Sequence, residues 1–397
     1  MKKLIYLIIP VIIGGIFTIG LNIYLDYKID KLLSQKDVNS IKNEFGSDVK
    51  DKGKIVNKHL LKEDNIMILG SSELEPKTKQ HPNYYFNTNK SKNGAFIVGK
   101  QFNQDLQAAT ILGSIDKEAI KGKKVVLLFS MQWFLGKDGM KPSDFQTRFS
   151  PTQFYAYLNN PDIDKSIKDD FATRTAQLLE GTDQYQAEKA YAELYTGSTI
   201  VDKSIKVLLY PYFKGREYMV SLKEKGTLYN HLSGLSEKKE RGPIEKIDWK
   251  KEYENALVDG KKRSDKNDMK IDNDYYNIKF KDGKEKYKNT HKNADLINSK
   301  EIEDYKLFLE TCEDLEVKPE IVIMPGMNWF YNYIGVSKEK RFALYDKASE
   351  LAKEKGFDII DLRNNNETPY YLRDPAHLGT KGWVDVCEKL FNKYEEQ

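Results

Sequence analysis

Two short motifs near opposite ends of the chain carry side chains that could act together in catalysis. Ser71 and Ser72 follow a glycine and four consecutive apolar residues at 66–69, which predicts a buried strand that ends at a sharp turn. Asp374 lies three residues before His377, so its carboxylate can accept a hydrogen bond from the imidazole and leave the other ring nitrogen free as a base. Together the motifs predict a serine nucleophile activated by a histidine and an aspartate.

Each motif also has a simpler structural explanation. Gly-Ser-Ser is a common turn composition in which either serine can cap a helix, and an Asp-x-x-His sequence can form an exposed loop. Catalysis is favoured because both motifs follow predicted strands, whose carboxyl ends share one edge of a parallel sheet. A helix beginning just after Ser72 would also direct its N–H groups toward the site. Ser71 is the rival nucleophile, because the turn alone does not determine which hydroxyl points outward.

Five short apolar runs predict the strands that position these side chains. They are residues 66–69, 95–98, 125–129, 320–324 and 357–362. Stretches with helical spacing follow these runs, which is the βαβ pattern of parallel sheets. The sequence therefore predicts a three-layer α/β fold with one five-stranded parallel sheet, built from residues 65–140 and 301–397.

Residues 141–300 interrupt this pattern. The segment is polar and rich in tyrosine and lysine, and only residues 207–210 resemble a further strand. We predict a mostly helical insertion. Because it follows the third strand, it would lie at the carboxyl edge of the sheet, where it could form a lid or a wall of the pocket.

Residues 1–25 predict an uncleaved membrane anchor. Residues 4–25 carry no charge, and Lys2 and Lys3 precede them, which is the pattern of a single spanning helix with a cytoplasmic N-terminus. The rest of the chain would then be extracellular. A cleaved signal peptide is the alternative, but the apolar run is long for one and no small-x-small cleavage pattern follows it. Residues 26–64 form a polar lead-in that we predict to be helical or a stalk.

Composition and cysteine content narrow the classes of partner. The 397 residues include 64 Lys and Arg against 60 Asp and Glu, a net charge of +4, so no overall basic field argues for nucleic acid. The two cysteines, Cys312 and Cys387, belong to no Cys-x-x-Cys or Cys/His cluster, and we predict neither a metal site nor a cofactor. The sequence leaves open whether they form a disulfide.

Several motifs, in order along almost the whole chain, carry a family resemblance. Gly70-Ser71-Ser72-Glu73 and Asp374-x-x-His377 resemble the first and last blocks of the SGNH hydrolase superfamily, which implies an SGNH or flavodoxin-like form of the predicted fold. More narrowly, with its uncleaved anchor the chain is similar to the DltD family of D-alanyl transfer proteins. The motifs behind this second resemblance are Gly-Ser-Ser-Glu-Leu at 70–74, His81-Pro82, Gln132-Trp133-Phe134, Asp272–Tyr276, Asn328–Tyr331 and the run from Asp374 to Trp383.

The superfamily resemblance implies a role for each matching residue. Ser72 matches the nucleophile, His377 the general base and Asp374 the carboxylate that orients it. Gly99 stands where the superfamily has its oxyanion-hole glycine, and the backbone N–H of Ser72 would be a second donor. Gln132 occupies the position of the usual asparagine, so an amide donor is kept on a longer side chain.

The DltD resemblance implies acyl transfer as the reaction. Ser72 would carry a D-alanyl ester, and His377 would activate a hydroxyl of poly(glycerol phosphate) lipoteichoic acid to receive it. Apolar walls would favour the polyol over water, and basic side chains of the insertion could hold the acceptor's phosphates. Candidate wall residues, for which core packing is an equally good interpretation, are Trp133, Phe134, Trp329 and Phe330. The implied partners are lipoteichoic acid, the membrane and a membrane-bound O-acyltransferase of the same pathway.

Two other functions are compatible with the sequence. A cell-surface SGNH esterase would use the same three side chains with water as the acceptor. A non-catalytic protein of the D-alanylation machinery would instead bind a carrier protein or the teichoic acid chain, with Ser72 and His377 as structural residues. The predicted topology argues against a carrier protein as partner, because such a protein is cytoplasmic and the domain would lie on the other side of the membrane.

Overall fold

The computed structural model describes residues 2–238 and 240–395, with the backbone alone for residues 2–8 and residue 11. The predicted anchor therefore begins, and the predicted catalytic domain ends, outside these residues. The side chains of Lys2 and Lys3, on which the predicted orientation rests, also lie outside the description.

Five parallel strands form one sheet. They are β1 (Ile66–Leu69), β2 (Ala95–Val98), β3 (Val125–Phe129), β4 (Glu320–Ile323) and β5 (Asp358–Asp361). Every neighbouring pair is parallel, in the order β2-β1-β3-β4-β5. This confirms the predicted α/β class and the five-stranded parallel sheet, although β4 and β5 each end one residue before the predicted run.

Eighteen α-helices surround the sheet in the part of the chain that the structure describes. Four precede β1: α1 (Lys2–Gln35), α2 (Asn39–Asn43), α3 (Asp48–Asp51) and α4 (Ile55–Lys62). Three lie between β1 and β3: α5 (Pro82–Phe86), α6 (Asp105–Gly113) and α7 (Lys117–Ile120). Eight lie between β3 and β4: α8 (Pro142–Arg148), α9 (Pro151–Asn159), α10 (Lys165–Leu178), α11 (Gln186–Thr196), α12 (Ile200–Ser233), α13 (Trp249–Arg263), α14 (Asn273–Lys279) and α15 (Glu301–Asp314). The last three are α16 (Asn328–Tyr333), α17 (Lys338–Glu354) and α18 (Thr380–Tyr394).

Side chains that alternate along each strand divide the core into two halves. On β1, Met67 packs on one face of the sheet and Ile68 on the other, and both faces are covered, as the continuous apolar runs require. Cys312 belongs to the first half and Cys387 to the second, and both are buried free thiols. Since the sheet separates them, the two cysteines form no disulfide in this fold.

The insertion at 141–300 is largely helical, as predicted. The run 207–210, which resembled a strand, lies inside α12, so that interpretation was wrong. The hydroxyl of Thr199 accepts the N–H of Asp202 at 3.1 Å, and the Asp202 carboxylate accepts the N–H of Thr199 at 3.1 Å. This reciprocal capping starts a helix whatever the strand propensity of the residues that follow. Within the fold, α12 packs on α1 and α13 packs on α18.

The N-terminal helix α1 joins the anchor to the domain without a break. Its stretch Ile12–Gln35 is long and apolar enough to cross a membrane, which is consistent with a single-pass anchor. The later part of α1 enters the core, where Leu25 and Ile29 are buried. In the lead-in at 26–64, Leu60 is also fully buried. The lead-in is therefore helical, as one of the two predictions had it, and it packs on the domain instead of forming a stalk.

The ends of β1 and β2 approach each other closely at Gly99. This residue has a φ of +135°, and a Cβ atom built on it would lie 1.8 Å from the carbonyl oxygen of Gly70. An L-residue with a side chain would be strained at this φ and would also collide with backbone. Glycine at 99 is thus a steric requirement of the turn region that carries the serines.

The substitution Gly99→Ala tests this requirement, with Gly122→Ala as a matched control. Gly122 also has a positive φ, +67°, but a Cβ there meets nothing within 4 Å. We expect Gly122→Ala to lower the free energy of unfolding by about 1–2 kcal/mol through backbone strain alone. Gly99→Ala should cost about 3 kcal/mol or more, because the clash adds to the strain. Chemical denaturation of the full chain in detergent micelles measures both, and equal losses would contradict the close approach.

Candidate active site

Ser72 lies at the carboxyl end of β1, in the turn that follows the strand. The chain forms a 3-10 turn over Ser72–Leu74 and not the helix that we predicted there. The Ser72 hydroxyl oxygen is half-buried and lies 2.9 Å from the Nε2 atom of His377. Ser71 is buried, and its backbone N–H donates to the carboxylate of Glu73 at 3.1 Å. The turn thus brings Ser72, not Ser71, against the imidazole.

Asp374 binds the opposite side of the same ring. The Nδ1 atom of His377 lies 2.7 and 2.9 Å from the two carboxylate oxygens of Asp374. One of these oxygens also accepts the backbone N–H groups of Ala376 and His377, at 3.1 and 3.0 Å. The side chains of Asp374 and His377 are only 2% and 16% exposed. A proton on Nδ1 is therefore held by the carboxylate, and Nε2 is left to face Ser72.

Electrostatics at this pair favour the charged form of both groups. Burial disfavours charge on the His377 imidazole, but the adjacent Asp374 carboxylate outweighs burial and raises the pKa of His377 above its usual value. Burial likewise opposes ionisation of Asp374, yet His377 and Arg373 hold the pKa of this carboxyl below its ordinary value. The result is a more basic imidazole beside the Ser72 hydroxyl.

The segment 362–379 carries His377 from the sheet edge to Ser72. It leaves β5 and crosses the carboxyl edge of the sheet. Two backbone hydrogen bonds attach it to the turn after β4: the N–H of Met327 donates to Pro375 at 3.0 Å, and the N–H of Asn328 donates to Asn366 at 3.1 Å. The crossing segment thereby joins side chains that are 305 residues apart in the chain.

The predicted oxyanion donors are mostly engaged in other hydrogen bonds. The N–H of Gly99 donates to the buried carboxylate of Asp51 at 2.9 Å. The amide of Gln132 donates to Glu73 at 2.6 Å. Across residues 2–238 and 240–395, no acceptor takes the backbone N–H of Ser72. Of the three predicted donors, only Ser72 is therefore available in this conformation.

Two buried carboxylates that bind predicted site residues were missed by the sequence analysis. Glu73 is 2% exposed and binds both Ser71 and Gln132, and an acidic residue directly after the serines was the signal for it. Asp51 had no such signal, because it lies in the polar lead-in. Burial raises the pKa of Asp51 to about 6, against the opposing effect of the neighbouring Lys50.

The four predicted wall residues divide into two pairs. Trp133 and Phe134 are 4% and 0% exposed, and Phe134 packs on Phe129 with ring centroids 4.8 Å apart. The 3-10 turn Met131–Leu135 directs both rings into the core, so the pocket-wall prediction is wrong for this pair.

The second pair, Trp329 and Phe330, lies on α16 and is half-buried. Both rings surround Phe280 of the insertion, with centroids 5.8 and 5.9 Å away. These two aromatics follow β4 at the carboxyl edge and keep an accessible surface, so they stay candidates for a wall.

A basic cleft of about 320 Å³ is lined by segments that follow Ser72 and His377 in the chain. Its lining residues are Thr78, Lys79, Gln80, Asp259, Lys262, Arg263 and Thr380. Arg263 is already bound to the carboxylate of Asp272 at 3.0 Å, whereas Lys79 and Lys262 are exposed. Throughout the described ranges, no group of three or more His, Cys, Asp or Glu side chains could hold a metal ion. The cleft is suited to an anion.

Comparison with known proteins gives the family. The family model described as "DltD protein" matches residues 42–395. This chain belongs to the DltD family. It is 28% identical to Protein DltD of Bacillus subtilis (strain 168) over 333 residues, which cover 83% of this chain and 82% of the relative. It is 26% identical to Protein DltD of Staphylococcus aureus (strain NCTC 8325 / PS 47) over 325 residues, 81% and 79% of the two chains. Membership of the DltD family implies a role in the D-alanylation of teichoic acid.

The contact between His377 and Asp374 predicts the effect of Asp374→Asn on titration. The amide removes the negative charge while burial remains, so we expect the pKa of His377 to fall by about 1–3 units. The imidazole would then become protonated only at lower pH. Titration followed by NMR measures this shift, with the partly exposed His291 as an internal control whose pKa should not move. An unchanged pKa of His377 would contradict the electrostatic role of Asp374.

Proposed function

We propose that this DltD family member is a membrane-anchored serine acyltransferase that passes D-alanine to lipoteichoic acid. The observation that carries the proposal is the chain of hydrogen bonds from the Ser72 hydroxyl through His377 to Asp374. By the positive-inside pattern of Lys2 and Lys3, the catalytic domain would be extracellular and the N-terminus cytoplasmic.

The reaction would proceed in two transfers. The Nε2 atom of His377 takes the proton of Ser72 while the serine oxygen attacks the carbonyl carbon of the D-alanyl donor. The leaving group departs with that proton, and a D-alanyl ester remains on Ser72. His377 then removes a proton from a glycerol hydroxyl of the acceptor, whose oxygen attacks the ester and releases Ser72 with its proton restored. Asp374 stabilises the imidazolium formed in each transfer.

Glu73 favours an aminoacyl group over an uncharged acyl group. The α-amino group of D-alanine is largely protonated at neutral pH, and the buried Glu73 carboxylate next to Ser72 supplies negative charge. The free N–H of Ser72 would bind the oxyanion. Gly99 and Gln132 would contribute only if their present bonds to Asp51 and Glu73 opened.

The basic cleft offers a site for the acceptor. Lys262 belongs to the insertion, Lys79 follows the nucleophile turn, and Thr380 lies three residues after His377. Phosphates of a poly(glycerol phosphate) chain bound by these lysines would lead the polymer toward the serine. The donor side would be served by a membrane-bound O-acyltransferase of the same pathway.

Two alternatives remain distinct from this proposal. An esterase would use the same three side chains with water as acceptor, and a non-catalytic binding protein would not form an ester on Ser72. The hydrogen-bonded arrangement supports either enzyme over the binding protein, and the cleft supports the transferase over the esterase.

Mass spectrometry of the domain tests the covalent step. After incubation with a D-alanyl thioester, we expect a D-alanyl adduct on the peptide that contains Ser72. Ser72→Ala should abolish the adduct, whereas the control Ser71→Ala should retain it because Ser71 does not contact the imidazole. Glycerol phosphate polymer, or water alone, is then added to the D-alanyl protein. Loss of the adduct only with the polymer indicates a transferase, whereas loss in water alone indicates an esterase. If no variant forms the adduct and cells that carry Ser72→Ala show normal D-alanylation, the catalytic proposal is wrong and the non-catalytic binding protein is the remaining function.

The acceptor site is tested by Lys262→Ala, with the adjacent Lys261→Ala as control. Both lysines are exposed on α13, but only Lys262 lines the cleft. Loss of one exposed contact to phosphate is worth about 1 kcal/mol, so the apparent KM for the polymer should rise roughly fivefold in Lys262→Ala. The control should change by less than about twofold, and equal effects of the two substitutions would argue for general charge attraction only.

A further inference from the structure

Helix α12 runs alongside the membrane anchor in the same direction. Near its middle, the Tyr218 hydroxyl donates to the carbonyl of Thr18 at 2.9 Å. One to two turns further along both helices, Lys225 binds Asn22 at 2.8 Å and Asp26 at 2.6 Å. Because the residue numbers of both helices rise together, the packing is parallel. The N-terminal half of α12 therefore points the same way as the N-terminal half of α1, toward the membrane that α1 would cross.

That half of α12 exposes a continuous apolar stripe. Its large side chains are Val201 (65% exposed), Ile205 (39%), Leu208 (77%), Tyr212 (57%) and Met219 (52%). The spacings of three, four and seven residues place them on one face of the helix. Further along α12, Leu222 is buried and Tyr229 packs on Tyr24 of α1. The anchor-contacting side chains of Tyr218 and Tyr229 lie about a quarter turn away from the stripe around the helix axis, so the anchor leaves the stripe uncovered.

We propose that the N-terminal part of this apolar stripe of α12 enters the headgroup and acyl boundary of the bilayer beside α1, as a second membrane contact of the domain. The inference rests on the anchor in the proposed function. The anchor exposes apolar side chains at the same end, among them Ile16 and Phe17, each 66% exposed. From Tyr218 back to Val201 the helix extends about 26 Å toward the membrane, so its N-terminal part can reach the bilayer beside the anchor.

The side of the helix opposite the stripe favours lipid over a protein partner. Lys203 and Lys214 are exposed on that opposite side, where Tyr210 is 57% exposed. Lysine and tyrosine opposite an apolar face are typical of helices that lie at the membrane interface. The lysines would also attract anionic headgroups. Two contacts, α1 and α12, would set the height and tilt of the domain above the membrane, whereas one helix alone would permit rotation about its axis.

Depth-dependent quenching of a fluorescent label tests the contact. The label is attached to Leu208→Cys on the stripe or, as control, to Asn230→Cys, an exposed position near the other end of α12. Cys312 and Cys387 are fully buried and should not react in the folded chain. The full chain is placed in phosphatidylglycerol vesicles that contain a doxyl-labelled lipid. Iodide, a quencher that stays in water, is added on both sides of the vesicle membrane. We expect doxyl lipid to quench the label at 208 at least twofold and iodide to quench only the label at 230.

Three results would overturn the proposal. Equal iodide access at both positions would show that the stripe is in water. Shielding from iodide that disappears when the protein is diluted into excess lipid would indicate a second copy of the chain. A label at 208 that is accessible in pure lipid but shielded in native membranes would indicate a protein partner. Formation of the D-alanyl ester on Ser72 is measured on the same samples, so failure of the membrane contact and failure of the proposed chemistry are distinguishable.

Discussion

A pair of backbone hydrogen bonds holds the segment 362–379 across the carboxyl edge of the sheet, and the candidate site depends on them. β5 lies at one edge of the sheet, with β4 and β3 between it and β1, so a short loop after β5 would leave His377 far from Ser72. The segment is instead attached to the turn after β4, where Met327 donates to the carbonyl of Pro375. Proline lacks an N–H but keeps its carbonyl, so the residue that stiffens the loop also fixes its path.

Buried carboxylates around His377 and Ser72 determine the charge that the candidate site can accept. Against the effect of burial, Asp374 and Glu73 both raise the pKa of His377. Such negative charge opposes a developing oxyanion and favours a cation at short range. The oxyanion of the proposed reaction therefore depends on the N–H of Ser72, while the ammonium of a D-alanyl group is stabilised where a neutral acyl group would gain nothing. The same carboxylates thus make His377 a stronger base and favour a donor whose acyl group carries a positive charge.

The strands were predictable because buried parallel strands are continuous apolar runs that end at glycine and serine turns. The pairing of Ser72 with His377 followed from the shared edge of such a sheet. The direction of the side chains after a strand could not be predicted in this way, because the type of turn determines it. Phe134 consequently enters the core. Asp51 escaped notice because its partner Gly99 lies 48 residues away. Residues 207–210 resembled a strand because an exposed apolar face on a helix is the exception in a soluble domain.

The insertion is attached firmly enough to act as part of the site. Helix α13 packs directly on α18 because Gly260 has no side chain: a Cβ there would lie 2.9 Å from the hydroxyl oxygen of Thr380, the first residue of α18. The hydroxyl of Thr380, which begins α18, donates to the carbonyl of Ala256 at 2.7 Å. The cleft residue Lys262 therefore lies on a helix that is bonded directly to the residues that follow His377. If the acceptor is a polymer tethered to the same membrane, a rigid cleft at a fixed height raises its effective concentration at the serine. Competition with water would then depend on proximity as well as on apolar walls.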